Sequence, residues 1–128
     1  MSLKIAIADD SAALRCAFRW WIESYTNWQV CGEAADGEAA VFLVQRLKPD
    51  LLVLDLSMPV MNGLDAARKI ALVSPKTRIV LFTGYASEHL LTEARSAGIR
   101  AVIRKDEDSS VARLISALRE AASTIQAA

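Results

Sequence analysis

Leu51-Leu52-Val53-Leu54-Asp55-Leu56-Ser57-Met58-Pro59 decides how the rest of the chain is read. Four apolar residues in a row run into a carboxylate, followed by a short loop and a proline. An unbroken apolar run of this length is the pattern of a parallel strand buried on both faces. Asp55 then stands where the strand leaves the core, the edge at which open α/β sheets place their sites. A charge buried there without a partner would be costly, so compensating groups are expected at the same edge.

Working outward from this strand, the same alternation repeats along the chain. Lys4-Ile5-Ala6-Ile7-Ala8 is a short apolar strand ending in Asp9-Asp10, with Ser11 as a helix cap. Leu14, Ala17, Phe18, Trp21, Ile22 and Tyr25 recur at helical spacing, and Trp20 falls off that stripe. A second strand, about 29–34, ends at the turn signal Asp36-Gly37, and the helix after it carries Val41, Val44 and Leu47 and stops before Pro49. Beyond Asp55, Asn62-Gly63 opens a third helix with Leu64, Ala67, Ile70 and Ala71 inward. Residues 78–82 form a fourth buried strand running into Thr83-Gly84, and residues 87–97 form a helix closed by Gly98. Ala101-Val102-Ile103 is a fifth strand ending at Arg104-Lys105. Asp108 or Ser109 is expected to cap the last helix, whose stripe is Val111, Leu114, Ile115, Leu118, Ala121 and Ala122.

Five strand–helix units in strict alternation predict an α/β fold, a doubly wound parallel sheet with helices on both faces and right-handed crossovers. The units fill about residues 3–122 of a single domain spanning 1–128, with a short C-terminal tail and no second domain. A chain of 128 residues buries roughly two-thirds of its unfolded surface. Fifteen basic and fifteen acidic residues cancel, which argues against nucleic acid binding by this chain alone. The apolar runs are strand-length, so no membrane span is expected, and the N-terminus lacks a signal peptide's apolar core. Cys16 and Cys31 read as free, buried thiols in a reducing compartment, the cytoplasm.

The chemistry lies in the residues just past each strand: Asp9 and Asp10, Asp36, Asp55, Thr83 and Lys105. Parallel strands share one C-terminal edge. If the first, third, fourth and fifth strands are neighbours, all but Asp36 converge there. Three carboxylates repel one another unless a cation neutralises them. Oxygen donors suit Mg²⁺, and no cysteine or histidine in the set points to zinc. A hard cation, a lysine and a hydroxyl around one aspartate make a site for a phosphoryl group, with the aspartate as nucleophile. The plainer readings are a capping pair at Asp9-Asp10, a solvated charge cluster around Lys105, and a turn at Asp36.

Asp9-Asp10, Asp55 within LDLSMPVMNGLDA, Thr83-Gly84 and Lys105, in this order at successive strand ends, resemble the receiver domains of bacterial two-component response regulators. The resemblance covers about residues 3–122 and implies the (βα)5 flavodoxin-like receiver fold with strand order 2-1-3-4-5. It implies that Asp55 is the phosphoacceptor, taking phosphate from a sensor histidine kinase or phosphotransfer protein. Since His89 is the single histidine and is expected to face solvent, that donor must be another protein. Asp9, Asp10 and Asp55 would hold Mg²⁺ with the main-chain carbonyl of Ser57. Lys105 would pair with phosphoryl oxygens, and Thr83 would close on them and report the state. The stretch VCGEAADGEAA further resembles receivers that precede a LuxR/FixJ-type helix-turn-helix domain. No such domain lies in these residues, so the chain is expected to be either a stand-alone receiver or the receiver part of a longer transcriptional regulator.

One position departs from the family pattern. The aromatic switch residue of the fifth strand falls at Val102, which cannot swing a ring, so backbone and loop movement would carry the signal. Ser57 and Tyr85, two residues beyond Asp55 and Thr83, stand where the family tunes loss of the phosphoryl group, and Tyr85 could shield it from water. Trp20 is expected on the surface as an anchor for a homodimer or kinase, or as a tolerated exposed ring.

Three competing readings fit less well. A pseudo-receiver that binds partners without phosphate has no need of this residue set. A nucleotide- or flavin-binding domain would want a glycine-rich loop after the first strand. An aspartyl phosphatase would carry a second aspartate two residues past the nucleophile, where Ser57 stands.

Overall fold

The computed structural model describes residues 3–105 and 110–126, with side chains to 123. Strands β1 (Lys4–Ala8), β2 (Gln29–Ala34), β3 (Leu51–Leu54), β4 (Arg78–Thr83) and β5 (Ala101–Arg104) alternate with helices α1 (Ala12–Tyr25), α2 (Gly37–Leu47), α3 (Gly63–Val73), α4 (Glu88–Ser96) and α5 (Ser110–Gln126). The expected cap at Asp108 or Ser109 lies outside the described residues. All pairings are parallel in the order β2-β1-β3-β4-β5, so β3 is central and all four of its residues are buried.

Alternation along each strand divides the core in two. Ile5, Ile7, Leu51, Val53, Val80 and Phe82 face α1 and α5, where they meet Phe18, Ile22, Leu114 and Leu118. Ala6, Ala8, Leu52, Leu54 and Leu81 face α2, α3 and α4, meeting Val44, Ala67, Ile70 and Leu90. Each of the first four helices starts on a side-chain cap set by the loop that ends the preceding strand. Ser11, Asp36, Asn62 and Ser87 accept from the backbone N–H of Leu14, Ala39, Asp65 and Leu90. Asp36 is thus a cap, as its pairing with Gly37 suggested. Gly98, at φ +84°, turns the chain after α4 in the left-handed conformation that glycine adopts freely.

Several surface expectations are corrected. Cys16 is exposed and Cys31 half-buried. Two positions from Phe18 is about 200° around a helix, so Cys16 points away from the core. Tyr25, Leu47 and Ala71 are exposed rather than inward. The buried part of α1 ends at Ile22, and the Tyr25 ring meets the edge of Trp20 instead. Leu47 closes α2 beyond its last buried residue, Val44. In α3, Ala66, Ala67 and Ile70 form the buried face and rotate Ala71 outward. Helix α5 continues to Gln126, beyond the expected end near residue 122. Among the described residues no helix is long and apolar enough to cross a membrane.

Candidate functional site

The register of the sheet brings the strand-end residues together. Ala8 pairs with Leu54 and Leu54 with Leu81, so β1, β3 and β4 reach the C-terminal edge side by side. Asp55 is held there by its N–H donating to the Ala8 carbonyl at 2.9 Å, and Asp9 by its N–H donating to the Ala34 carbonyl at 3.0 Å. Asp9, Asp10 and Asp55 each present a carboxylate oxygen within 4.8 Å of the others. Asp9 and Asp55 are almost fully buried, whereas Asp10 is exposed.

Lys105 arrives from the end of β5, its own N–H donating to the Thr83 carbonyl at 2.8 Å. Its ammonium lies 2.9 Å from Asp9 Oδ2 and 3.2 Å from Asp55 Oδ1. Lys105 is therefore a bridge between two buried carboxylates, not part of a solvated cluster. The second oxygen of Asp9, Oδ1, accepts from the Ser11 N–H at 2.9 Å, so both Asp9 oxygens are engaged.

Electrostatics follow from this crowding. Burial holds the Asp55 carboxyl above its ordinary value; the Lys105 ammonium pulls it down, and the charges of Asp9 and Asp10 push it up again. For Lys105 burial alone would lower the value, but the hydrogen bond to Asp9 and the charges of Asp55 and Asp9 outweigh it and raise it. The lysine is thus a secure cation. Three carboxylates against one ammonium leave about two negative charges, and the donors are all oxygen, which fits a hard divalent cation such as Mg²⁺.

Thr83 is buried at the end of β4, and its Oγ1 accepts from the Tyr85 N–H at 3.2 Å, which ties the residue to the loop leading into α4. Tyr85 itself and Ser57 are exposed at the rim. Val102 is half-buried on β5 and packs on the core beneath α4. Trp20 is exposed on α1.

Two contributions were not read from the sequence. Arg15 on α1 donates from Nη1 to the Asp9 carbonyl at 2.7 Å and from Nε to Glu33 Oε1 at 3.1 Å. Gly63 begins α3 so close to the end of β3 that a Cβ there would lie 2.2 Å from the Asp55 carbonyl oxygen. The Asn62-Gly63 pair signalled a helix start but gave no hint of that approach.

Known proteins share this arrangement of chain and fold. A profile of the response regulator receiver domain family matches residues 5–119. The chemotaxis protein CheY of Thermotoga maritima is 32% identical over 120 residues, covering 94% of this chain and 98% of CheY. The uncharacterized transcriptional regulatory protein YxjL of Bacillus subtilis is 36% identical over 120 residues, 94% of this chain but 54% of YxjL. This chain thus spans about half the length of YxjL and of the B. subtilis regulator YhcZ, and nearly all of CheY. Among solved structures, the response regulator domain of T. maritima CheB superposes with a TM-score of 0.86 at 28% identity, covering 94% of this chain and 96% of that one. A LuxR-family response regulator from Aurantimonas sp. SI85-9A1 gives 0.87 at 30% identity, covering 94% and 84% respectively.

Proposed function

This chain belongs to the response regulator receiver domains, and from that premise we propose that it is a phosphorylation-dependent signalling switch with Asp55 as phosphoacceptor. The observation that carries the reading is the convergence of Asp9, Asp10 and Asp55 within 4.8 Å, with the Lys105 ammonium on Asp9 and Asp55. A binding module has no use for three repelling carboxylates at one sheet edge.

In the proposed reaction an Asp55 oxygen attacks the phosphorus of a phosphohistidine on a sensor histidine kinase or phosphotransfer protein. The O–P bond forms as the N–P bond breaks, and the imidazole leaves with its electron pair. Asp10 and Asp55, with Asp9 and the main-chain carbonyl of Ser57, would hold Mg²⁺, which when bound neutralises charge on the transferring group. Lys105 has the charge and reach to pair with a phosphoryl oxygen. The Thr83 hydroxyl, already linked to the Tyr85 N–H, is the group that turns toward the phosphoryl and draws the loop before α4 with it. With Val102 in place of an aromatic ring, that loop and the β5 backbone carry the signal. Tyr85 at the rim shields the acyl phosphate, and exposed Trp20 offers a contact for a kinase or a second copy of the chain. Where this chain is the receiver part of a longer regulator, the output is transcriptional control in a cytoplasmic pathway, a reading supported by its likeness to the transcriptional regulatory protein YxjL and to a LuxR-family response regulator.

The test is intact mass after incubation with acetyl phosphate and Mg²⁺. One phosphoryl adduct is expected on the wild type, and none on Asp55→Asn or in the magnesium-free control. No adduct on the wild type, with beryllofluoride also failing to bind, would refute the switch and leave a phosphate-independent partner-binding domain.

A further inference from the structure

The carbonyl of Asp9, just past β1, has left the sheet ladder. One residue earlier, the Ala8 carbonyl still accepts from the N–H of Asp55, just past β3. A main-chain carbonyl at a crowded, buried edge needs a partner. Here the partner is a side chain: the Arg15 guanidinium, 18% exposed, reaches it with Nη1 at 2.7 Å. The same guanidinium is braced on its other side, since Nε donates to Glu33 Oε1 at 3.1 Å. Glu33 is in turn gripped by Arg19, whose Nε and Nη2 lie 3.1 Å and 2.8 Å from Oε2. Strand β2, helix α1 and the end of β1 are thus tied through one planar group.

What that tie fixes follows from peptide geometry. The Asp9 carbonyl oxygen lies in one rigid plane with the Asp10 nitrogen and Asp10 Cα. Holding the oxygen therefore sets where the Asp10 Cα lies and narrows the directions its carboxylate can take. Asp9 and Asp55 have other restraints in Lys105, the Ser11 N–H and the sheet. Asp10 is the exposed member of the trio. We propose that Arg15, braced by Glu33, is a positioning residue that aims the Asp10 carboxylate into the cation site. This rests on the reading of the three carboxylates as a Mg²⁺ site and adds to it the group that sets its geometry.

Charge and geometry make opposite forecasts, which gives the inference a sign. A guanidinium beside a cation site repels the cation, so by charge alone its removal tightens Mg²⁺ binding. By positioning, its removal loosens binding. Arg15→Gln separates the two directly. Arg15→Lys does so in another way, because it keeps the charge but loses the planar fork that spans Glu33 and the Asp9 carbonyl.

The experiment is calorimetric titration of Mg²⁺ into the wild type, Arg15→Lys and Arg15→Gln, with unfolding midpoints of each taken in EDTA. Both variants are expected to raise the Mg²⁺ dissociation constant about tenfold, as loss of a group hydrogen-bonded beside a ligand does at metal sites, and to remain folded, with a lower unfolding midpoint in Arg15→Gln, whose Asp9 carbonyl loses its partner. Glu33→Ala, which keeps Arg15 but removes its brace, is expected to shift the constant in the same direction and serves if Arg15→Gln does not fold. Wild-type affinity in Arg15→Lys, or tighter binding in Arg15→Gln, would overturn the positioning role and leave the metal site standing. If the wild type itself takes up no Mg²⁺, the metal reading falls and this inference falls with it.

Discussion

Replacing Gly63 by alanine adds one methyl group at the start of α3, and the structure fixes what that methyl meets. An added Cβ would lie 2.2 Å from the Asp55 carbonyl oxygen, 2.9 Å from Leu56 Cα and 3.0 Å from the Asp55 carbonyl carbon. All three are backbone atoms, so no side chain can rotate away. Restoring an allowed separation requires about 0.8 Å of movement between α3 and the end of β3. The Gly63 N–H donates to the Leu56 carbonyl at 2.8 Å and resists that movement. Overpacking of this kind costs about 1–3 kcal/mol. The stiffer unfolded chain of an alanine variant offsets roughly 0.4–1 kcal/mol of it. The net loss is about 1.5 kcal/mol, and with an unfolding entropy of about 0.27 kcal/mol/K for a chain this long the midpoint falls by about 5–6 °C.

Two other glycines supply the controls. A Cβ at Gly84 meets nothing within 4 Å, so Gly84→Ala is expected to match or slightly exceed the wild type in stability. Gly98 is equally open but left-handed, so Gly98→Ala is expected to lose about 1 kcal/mol through its backbone alone. Thermal unfolding by calorimetry in EDTA ranks the three. The functional readout is the time course of the phosphoryl adduct from acetyl phosphate. Pushing the Asp55 carbonyl moves the Cα from which the proposed phosphoacceptor carboxylate projects, and misplacement approaching 1 Å is expected to slow uptake by about 10–100-fold. If Gly63→Ala melts at or above Gly84→Ala and takes up phosphate at the wild-type rate, the steric argument is wrong.

Other consequences can be checked with the same assays. Asp55→Asn is expected to stabilise the metal-free protein, because burial and the charges of Asp9 and Asp10 outweigh the Lys105 pairing. Added Mg²⁺ should narrow the gap by stabilising the wild type, and a less stable Asn variant in EDTA would contradict this. Val60 holds φ +69° on an exposed loop, an unfavourable conformation for a β-branched residue, so Val60→Asn is expected to gain about 1 kcal/mol in a denaturant titration. No gain would mean that the loop carries no such strain. The Glu33 carboxyl is held below its ordinary value of 4.5, first by Arg19 and then by Arg15. The stability this gives is present above that ordinary value and is lost as pH falls through the lowered one. Glu33→Gln should therefore cost under about 1 kcal/mol at neutral pH, since the pair is partly exposed, and the cost should vanish in acid and shrink in high salt. A cost that persists in acid would show that the side chain acts by packing, not by charge.

The residues that would touch a phosphoryl group or cation were legible because topology places them. Each buried strand shows as an apolar run, its C-terminal end is the next polar residue, and parallel strands bring those ends to one edge. Asp9, Asp55 and Thr83 follow from that rule alone, and Lys105 stands one residue further, just past Arg104. The strand order rested on the family resemblance, since periodicity says nothing about which strands are neighbours. Helix faces were legible in their middles and failed at their ends, as Tyr25 and Leu47 show, because a stripe continues in sequence after the sheet beneath it has stopped. Cys16 was misread although its helical angle from Phe18 was available.

The residues that hold the site in place were hidden for a different reason. Arg15 meets a main-chain oxygen and a glutamate 18 positions away, and a charge on the polar face of a helix carries no mark of which partner it will find. Gly63 matters because of the Asp55 carbonyl, an atom every residue possesses, so no choice of side chain at 55 could have announced it. Legibility therefore falls off from the strand ends to the loops and helices that brace them. The two kinds of residue should also fail differently. Loss of Asp55 is expected to abolish phosphoryl uptake outright. Loss of the Arg15 fork or of the Gly63 clearance leaves every reacting group present, so in those variants higher Mg²⁺ should restore uptake where the cation site was loosened and should not where the nucleophile itself was displaced.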